Sequence, residues 1–154
     1  MVQLIGIVMF IALMGVVLLG GTNHVSVKKI SELAVKNEVL NGYQALKQGH
    51  MIYREHTDSY LPISDWKVSF EKYAFLPQDV QESTWEYNKN GAGYYFCLTG
   101  SISDSVIYKA LIATGSKMGQ GSYFVNENCG SSTNFTSTPD FTTATKVSAT
   151  FFIK

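Results

Sequence analysis

Three histidines and two cysteines are the residues of this sequence best suited to metal or redox chemistry. Two of the histidines, His50 and His56, fall close to the carboxylates Glu55 and Asp58. A zinc site needs three or four ligands at characteristic short spacings, and no such spacing is present. The pattern therefore indicates that His50 and His56 are isolated surface residues, and neither they nor His24, the third histidine, predict a metal site.

The two cysteines, Cys97 and Cys129, enclose a long segment of the second half of the chain. An even count is compatible with one disulfide if the domain is exported, whereas two free thiols are the default in the cytosol. The pair does not form a Cys-x-x-Cys motif, which argues against a redox function. The spacing alone leaves both a disulfide and two reduced thiols open.

Motifs of the common enzyme classes are missing from the sequence. It contains no nucleophile elbow, Walker-type phosphate loop or dinucleotide fingerprint. The glycine-rich run from Gly115 to Gly121 lacks the strand–loop–helix context of a phosphate loop and is interpreted as a connector. Twelve basic and twelve acidic residues give a formal net charge of zero, and the basic residues are scattered. We therefore expect no enzymatic activity, no cofactor and no direct nucleic-acid binding.

The N-terminal segment differs in composition from the rest of the chain. Residues 1–21 carry no charged side chain, and the run over residues 4–19 is apolar on every face. About 20 apolar residues in a helix span roughly 30 Å, the thickness of a bilayer core. The alternatives are a buried core helix and a secretory signal peptide. A signal peptide requires basic residues before the apolar run, and none is present here. We predict an apolar transmembrane helix over residues 1–23.

The next segment predicts an amphipathic helix that continues the apolar one. Gly20 and Gly21 interrupt the apolar run, and an amphipathic pattern extends from Val25 to about Glu55. Apolar residues recur at three-, four- and seven-residue steps, which predicts one buried helix face. The residues assigned to that face are Ile30, Leu33, Leu40, Tyr43, Leu46 and Met51. The joined helix would run for about 50 residues, or roughly 75–80 Å.

The remainder of the chain predicts an antiparallel sheet. A short element is expected around residues 66–75, and Ser103 is expected to cap a helix over residues 104–114. Four segments have strand character, namely residues 84–87, 94–98, 122–126 and 146–153. The predicted fold class is α+β, in which the sheet of residues 24–154 lies on the amphipathic half of the long helix.

The apolar segment and the turn after the long helix resemble those of type IV pilins. Residues 11–17 are similar to the middle of a pilin helix, and a Met at the first position is common in the type IVb class. Residues 51–53 followed by residues 59–62 resemble the Tyr-containing turn and Tyr-Pro loop that end the pilin helix. One position departs from the pattern, because most major pilins have Glu where this chain has Ile5. Whether the chain resembles a major or a minor subunit therefore stays open.

The resemblance implies how such a subunit would be made and used. Prepilin peptidase would remove a short basic leader and leave Met1 as the N-methylated first residue. The pilus assembly machinery would then move the subunit from the inner membrane into an extracellular homopolymer of identical copies. The residues implied in the filament-core helix are Leu4, Ile5, Ile7, Val8, Phe10, Ile11, Leu13, Met14, Val16 and Val17. The positions that match the pilin disulfide are Cys97 and Cys129.

Two further functions are compatible with the sequence. A pseudopilin of a type II secretion system shares the helix and the fold, although the cysteine pair favours a pilus. A bitopic membrane protein with an exported ligand-binding domain would share the apolar anchor alone. Adhesion, motility, DNA uptake and conjugation all use type IV filaments, and the sequence does not choose among them.

Overall fold

The computed structural model describes residues 27–119 and 121–153 of the chain. Over these ranges the fold is α+β, with one long helix, two shorter helices and a four-stranded antiparallel sheet. The chain divides into two compact units, residues 1–30 and residues 31–154. The apolar helix predicted over residues 1–23, with Met1 and the filament-core positions, lies outside the described residues.

The predicted order of elements is present in the structure. The helices are α1 (Val27–Thr57), α2 (Trp66–Glu71) and α3 (Ser105–Gly115). The strands are β1 (Ser83–Asn90), β2 (Gly93–Ile102), β3 (Tyr123–Asn126) and β4 (Thr145–Phe152). Their order in the sheet is β1-β2-β4-β3, and every neighbouring pair is antiparallel. Each of the four predicted strands is therefore confirmed, and the element expected around residues 66–75 is α2.

One face of α1 packs on the inner face of the sheet. Its buried side chains recur at three- and four-residue steps, namely Val35, Val39, Tyr43, Leu46 and His50. Tyr43 stacks on Phe151 of β4, with ring centroids 4.4 Å apart. Because strand side chains alternate between the two faces, the inner face presents every second residue to α1. The inner-face residues of the core are Trp85, Tyr87, Phe96, Leu98, Ile102, Tyr123, Val125, Val147, Ala149 and Phe151.

Two glycines of α1 permit close approach on one flank of that face. A Cβ atom at Gly42 would lie 2.8 Å from the Trp85 ring. A Cβ atom at Gly49 would collide with the Phe70 ring of α2 and with Ala74. Side chains larger than hydrogen would therefore separate α1 from β1 and from the segment around α2.

The buried face of α1 differs from the predicted face. Tyr43 and Leu46 are buried as predicted. The other residues assigned to the core are half-buried or exposed, namely Ile30, Leu33, Leu40 and Met51. The helix carries two apolar stripes at different angles, and periodicity does not reveal which stripe meets the sheet. The stripe that meets the sheet includes Val35 and Val39, which the prediction did not assign.

Helix α3 packs against the core beside strands β2 and β3. Its first turn is capped by Asp104, whose Oδ1 accepts a hydrogen bond from the Val106 amide at 2.8 Å. The prediction that Ser103 caps this helix is therefore wrong by one residue. Asp104 occupies the N-cap position, where its carboxylate accepts a hydrogen bond from an amide of the first turn that has no partner within the helix. The Tyr123 hydroxyl on β3 donates to the Leu111 carbonyl at 2.6 Å and ties α3 to the sheet.

Candidate functional site

The outer face of the sheet carries the disulfide. Cys97 of β2 is bonded to Cys129 in the segment after β3, as the resemblance to pilins implied. Cys97 is fully buried and packs with Tyr95 and Phe152 in a small second core on this face. The disulfide therefore holds the segment after β3 across strands that would otherwise expose apolar side chains to solvent.

Backbone contacts of Gly130 fix the same segment beside the disulfide. Its amide donates to Thr150 Oγ1 at 2.9 Å, and its carbonyl accepts from Asn90 Nδ2 at 2.7 Å. Gly130 has a φ of +78°, and a Cβ atom there would lie 2.7 Å from the Tyr95 hydroxyl. A positive φ and the close approach both require glycine at this position.

His50 is buried, so the prediction that it is an isolated surface residue is wrong. It is 1 % exposed and lies one turn beyond Leu46 on the buried face of α1. Its ring lies among those of Tyr60, Tyr87 and Phe96, with centroids 5.6 to 6.1 Å away. Within the described ranges, neither ring nitrogen has a hydrogen-bond partner, and the Tyr87 hydroxyl has none either. The step of four residues from Leu46 is the sequence signal that places His50 inside.

The surroundings of His50 keep its imidazole neutral. Burial lowers the pKa of His50 from 6.5 to about 4, and the positive charge of Arg54, one turn further along α1, lowers it as well. Arg54 itself stacks its guanidinium over the Tyr60 ring at 4.5 Å. Burial raises the pKa of Tyr87. A neutral imidazole enclosed by aromatic rings is a core residue whose charge state is restricted by its surroundings.

The histidine near the end of α1 stands apart from this cluster. His56 is exposed, as predicted. Within the part of the chain that the structure describes, no three His, Cys, Asp or Glu side chains are arranged to hold a metal ion. His24 lies outside the described residues.

A groove of about 740 Å³ runs along α1 on the side of β3 and β4. Its floor is apolar and is formed mainly by Leu33, Leu40, Tyr43, Met118 and Phe152. Three lysines stand around it, namely Lys36, Lys47 and Lys117. No described residue that lines the groove is acidic. We call this feature the lysine-rimmed groove. Sequence reasoning missed it because the connector after α3, interpreted only as a linker, supplies one of its walls.

Leu33 and Leu40 on the floor of the groove belong to the second apolar stripe of α1. Leu33 is 57 % exposed, and Leu40 is half-buried. The apolar side chains of this stripe therefore remain accessible in a single copy of the domain.

Comparisons with known proteins add no relative. The chain matches no protein-family model, no curated protein and no solved structure. Among the helices in the described ranges, none is both long enough and apolar enough to cross a membrane.

Proposed function

We propose that this chain is the structural subunit of a type IV pilus and polymerises through its apolar N-terminal segment into an extracellular filament. The observation that carries the proposal is the exposed apolar stripe of α1. A helix on the surface of a solitary domain has polar residues opposite its core-facing side. Here Leu33 and Leu40 leave apolar surface outside the core of the domain, which favours burial against another molecule.

The sequence that precedes α1 supports the same proposal. Residues 1–21 contain no charged side chain, so they require either a bilayer or other apolar chains around them. In the proposed filament, these segments from many copies pack together, and burial of apolar surface contributes roughly 25 cal/mol per Å². Before assembly, the inner membrane would solvate the same side chains.

The disulfide supports an exported domain. Bonds of this kind persist in oxidising compartments and are rare in the cytosol. The bond between Cys97 and Cys129 stabilises the outer face of the sheet, which would form part of the filament exterior. We propose that the domain acts as a structural element and catalyses no reaction.

Electron microscopy of sheared surface fibres tests the proposal. The full chain is produced in a bacterium that has a type IV pilus assembly system, with its own pilin gene deleted. The chain should appear in the sheared fraction as thin fibres, identified by mass spectrometry. A Leu13→Asp variant should form none, because a carboxylate in an apolar helix core is strongly unfavourable. Leu13→Ile is the matched control and should assemble normally.

Other outcomes would favour the alternative functions. A chain that stays monomeric in membranes and in detergent, with no fibres, would contradict the proposal and support a bitopic protein with a ligand-binding domain. Fibres that form only on overproduction with a type II secretion system, and not with a pilus system, would indicate a pseudopilin.

A further inference from the structure

One large apolar side chain stands almost entirely in solvent. Phe75, in the loop between α2 and β1, is 96 % exposed. Its neighbours Ala74 and Leu76 are partly buried and pack against the main core. The backbone on both sides of Phe75 is therefore held in place, and the phenyl ring projects outwards. We call this feature the Phe75 knob.

The chain around the Phe75 knob is acidic. Glu71 and Asp79 stand four residues before and after Phe75, and both are exposed. Glu82 adds a third exposed carboxylate, and the only basic residue between positions 71 and 82 is Lys72. The Asp79 carboxylate accepts a hydrogen bond from the Trp85 amide at 3.3 Å, which places it beside β1.

The lysine-rimmed groove has the complementary properties. Its floor is apolar, its rim carries Lys36, Lys47 and Lys117, and its described lining residues include no carboxylate. A buried Phe side chain removes about 150 to 250 Å² of surface from water, so an open apolar groove of this size suits it. The acidic residues around the knob would meet the lysines of the rim, which favours correct orientation of two molecules.

The knob and the groove lie on opposite sides of helix α1. Lys47 borders the groove, whereas Gly49 contacts Phe70 and Ala74 next to the knob. Residues two positions apart on a helix with 3.6 residues per turn point about 200° away from each other. The same separation is found across the sheet, because Asp79, four residues after the knob, lies beside edge strand β1, whereas Ser122 of the groove lies next to edge strand β3. A contact between knob and groove therefore requires two copies of the chain.

We infer that the Phe75 knob of one subunit inserts into the lysine-rimmed groove of the next subunit. Such a contact joins two different surfaces head to tail, so each added copy leaves a free knob and a free groove, and the series can extend indefinitely. The inference rests on the proposed filament function and identifies the contact between globular domains that accompanies packing of the apolar segments.

Photo-crosslinking in assembled filaments tests the contact directly. Phe75 is replaced with the photoreactive residue p-benzoylphenylalanine in the full chain, and intact filaments are irradiated. Mass spectrometry should find the crosslink on Leu40 or Met118 of a second copy. The same replacement at Ile63, which is 44 % exposed and belongs to neither surface, is the control and should give no crosslink in the groove. Crosslinks from position 75 that map to another surface would overturn the inference.

Assembly yield gives a second, independent readout. Phe75→Ser should lower the amount of sheared filament per cell at least about tenfold, the loss typical of an interface anchor. Val68→Ser is the matched control, because Val68 is also exposed, at 62 %, in the preceding helix. Lys47→Glu should lower the yield, and Glu82→Lys in the same chain should partly restore it.

The outcomes separate this inference from the proposed function. Normal filaments from the Phe75→Ser variant would overturn the knob-and-groove contact and leave the filament function standing. An absence of filaments from the unmodified chain would overturn both.

Discussion

His50, whose ring nitrogens have no hydrogen-bond partner among the described residues, leads to a prediction of how the free energy of unfolding changes with pH. The pKa of His50 is about 4 in the folded protein and 6.5 when it is free of the core. Because the unfolded chain takes up the proton first, the folding stability supported by neutral His50 is complete above about pH 7 and is lost as the pH falls from 6.5 towards 4. A difference of 2.5 pKa units at 1.36 kcal/mol each corresponds to at most about 3 kcal/mol, with about 2 kcal/mol lost by pH 5.

The perturbation is His50→Phe, which keeps a ring of similar size among Tyr60, Tyr87 and Phe96. Removing the two buried ring nitrogens, which have no partner in the described part of the chain, should raise the free energy of unfolding at pH 7 by about 1 kcal/mol or more. The loss between pH 7.5 and pH 5 should also be about 2 kcal/mol smaller than in the unmodified chain.

Urea unfolding followed by tryptophan fluorescence at pH 7.5, 6 and 5 measures both effects. Because the carboxylates titrate in both proteins, the quantity to compare is the difference between the two pH profiles. His56→Phe changes an exposed histidine of the same helix and should leave the profile unchanged. If the His50→Phe profile matched that of the unmodified chain, the account of His50 as a buried neutral group would be refuted.

Three further variants test the packing by urea unfolding at neutral pH. Replacing Cys97 and Cys129 with Ala should lower the free energy of unfolding by about 3 to 4 kcal/mol, the value for a closed loop of this length; equal stability in reduced and oxidised protein would contradict this. Gly49→Ala should lower the free energy of unfolding by about 1 to 3 kcal/mol, because the new Cβ atom meets the Phe70 ring. The control Gln48→Ala, at an exposed position, should lower it little. Asp104→Ala should lower the free energy of unfolding by about 1 kcal/mol through loss of the cap of α3, whereas Ser103→Ala should leave it unchanged. A larger loss for Ser103→Ala than for Asp104→Ala would show that Ser103 is the cap.

Elements with strong local signals could be predicted from the sequence. The aromatic run of β2 is bounded by glycines, and its hairpin with β1 turns through the two residues Gly91 and Ala92. The long helix and α3 have helical spacing over many residues, which local sequence specifies well. The cap of α3 was misplaced by one residue, since Ser103 and Asp104 are both good capping residues and only the backbone decides between them.

Features that depend on contacts between distant segments could not be predicted. The step from Leu46 places His50 on the buried face of α1, but the rings of Tyr87 and Phe96 that surround it come from later in the chain. The exposure of Phe75 depends on how Ala74 and Leu76 pack, and a short apolar run does not reveal which of its side chains faces solvent. The lysine-rimmed groove joins α1 to the connector after α3, so local patterns do not reveal it.

The mistaken core positions of α1 themselves bear on function. Leu33 and Leu40 have the spacing of buried residues, yet they lie on the floor of an open groove. A hydrophobic pattern predicts that a side chain is buried, but it does not say whether the same molecule or another one buries it. If the inferred contact with Phe75 of the next subunit exists, Leu33 and Leu40 are buried in the filament. The apolar pattern at these two positions would then reflect burial between subunits of the filament.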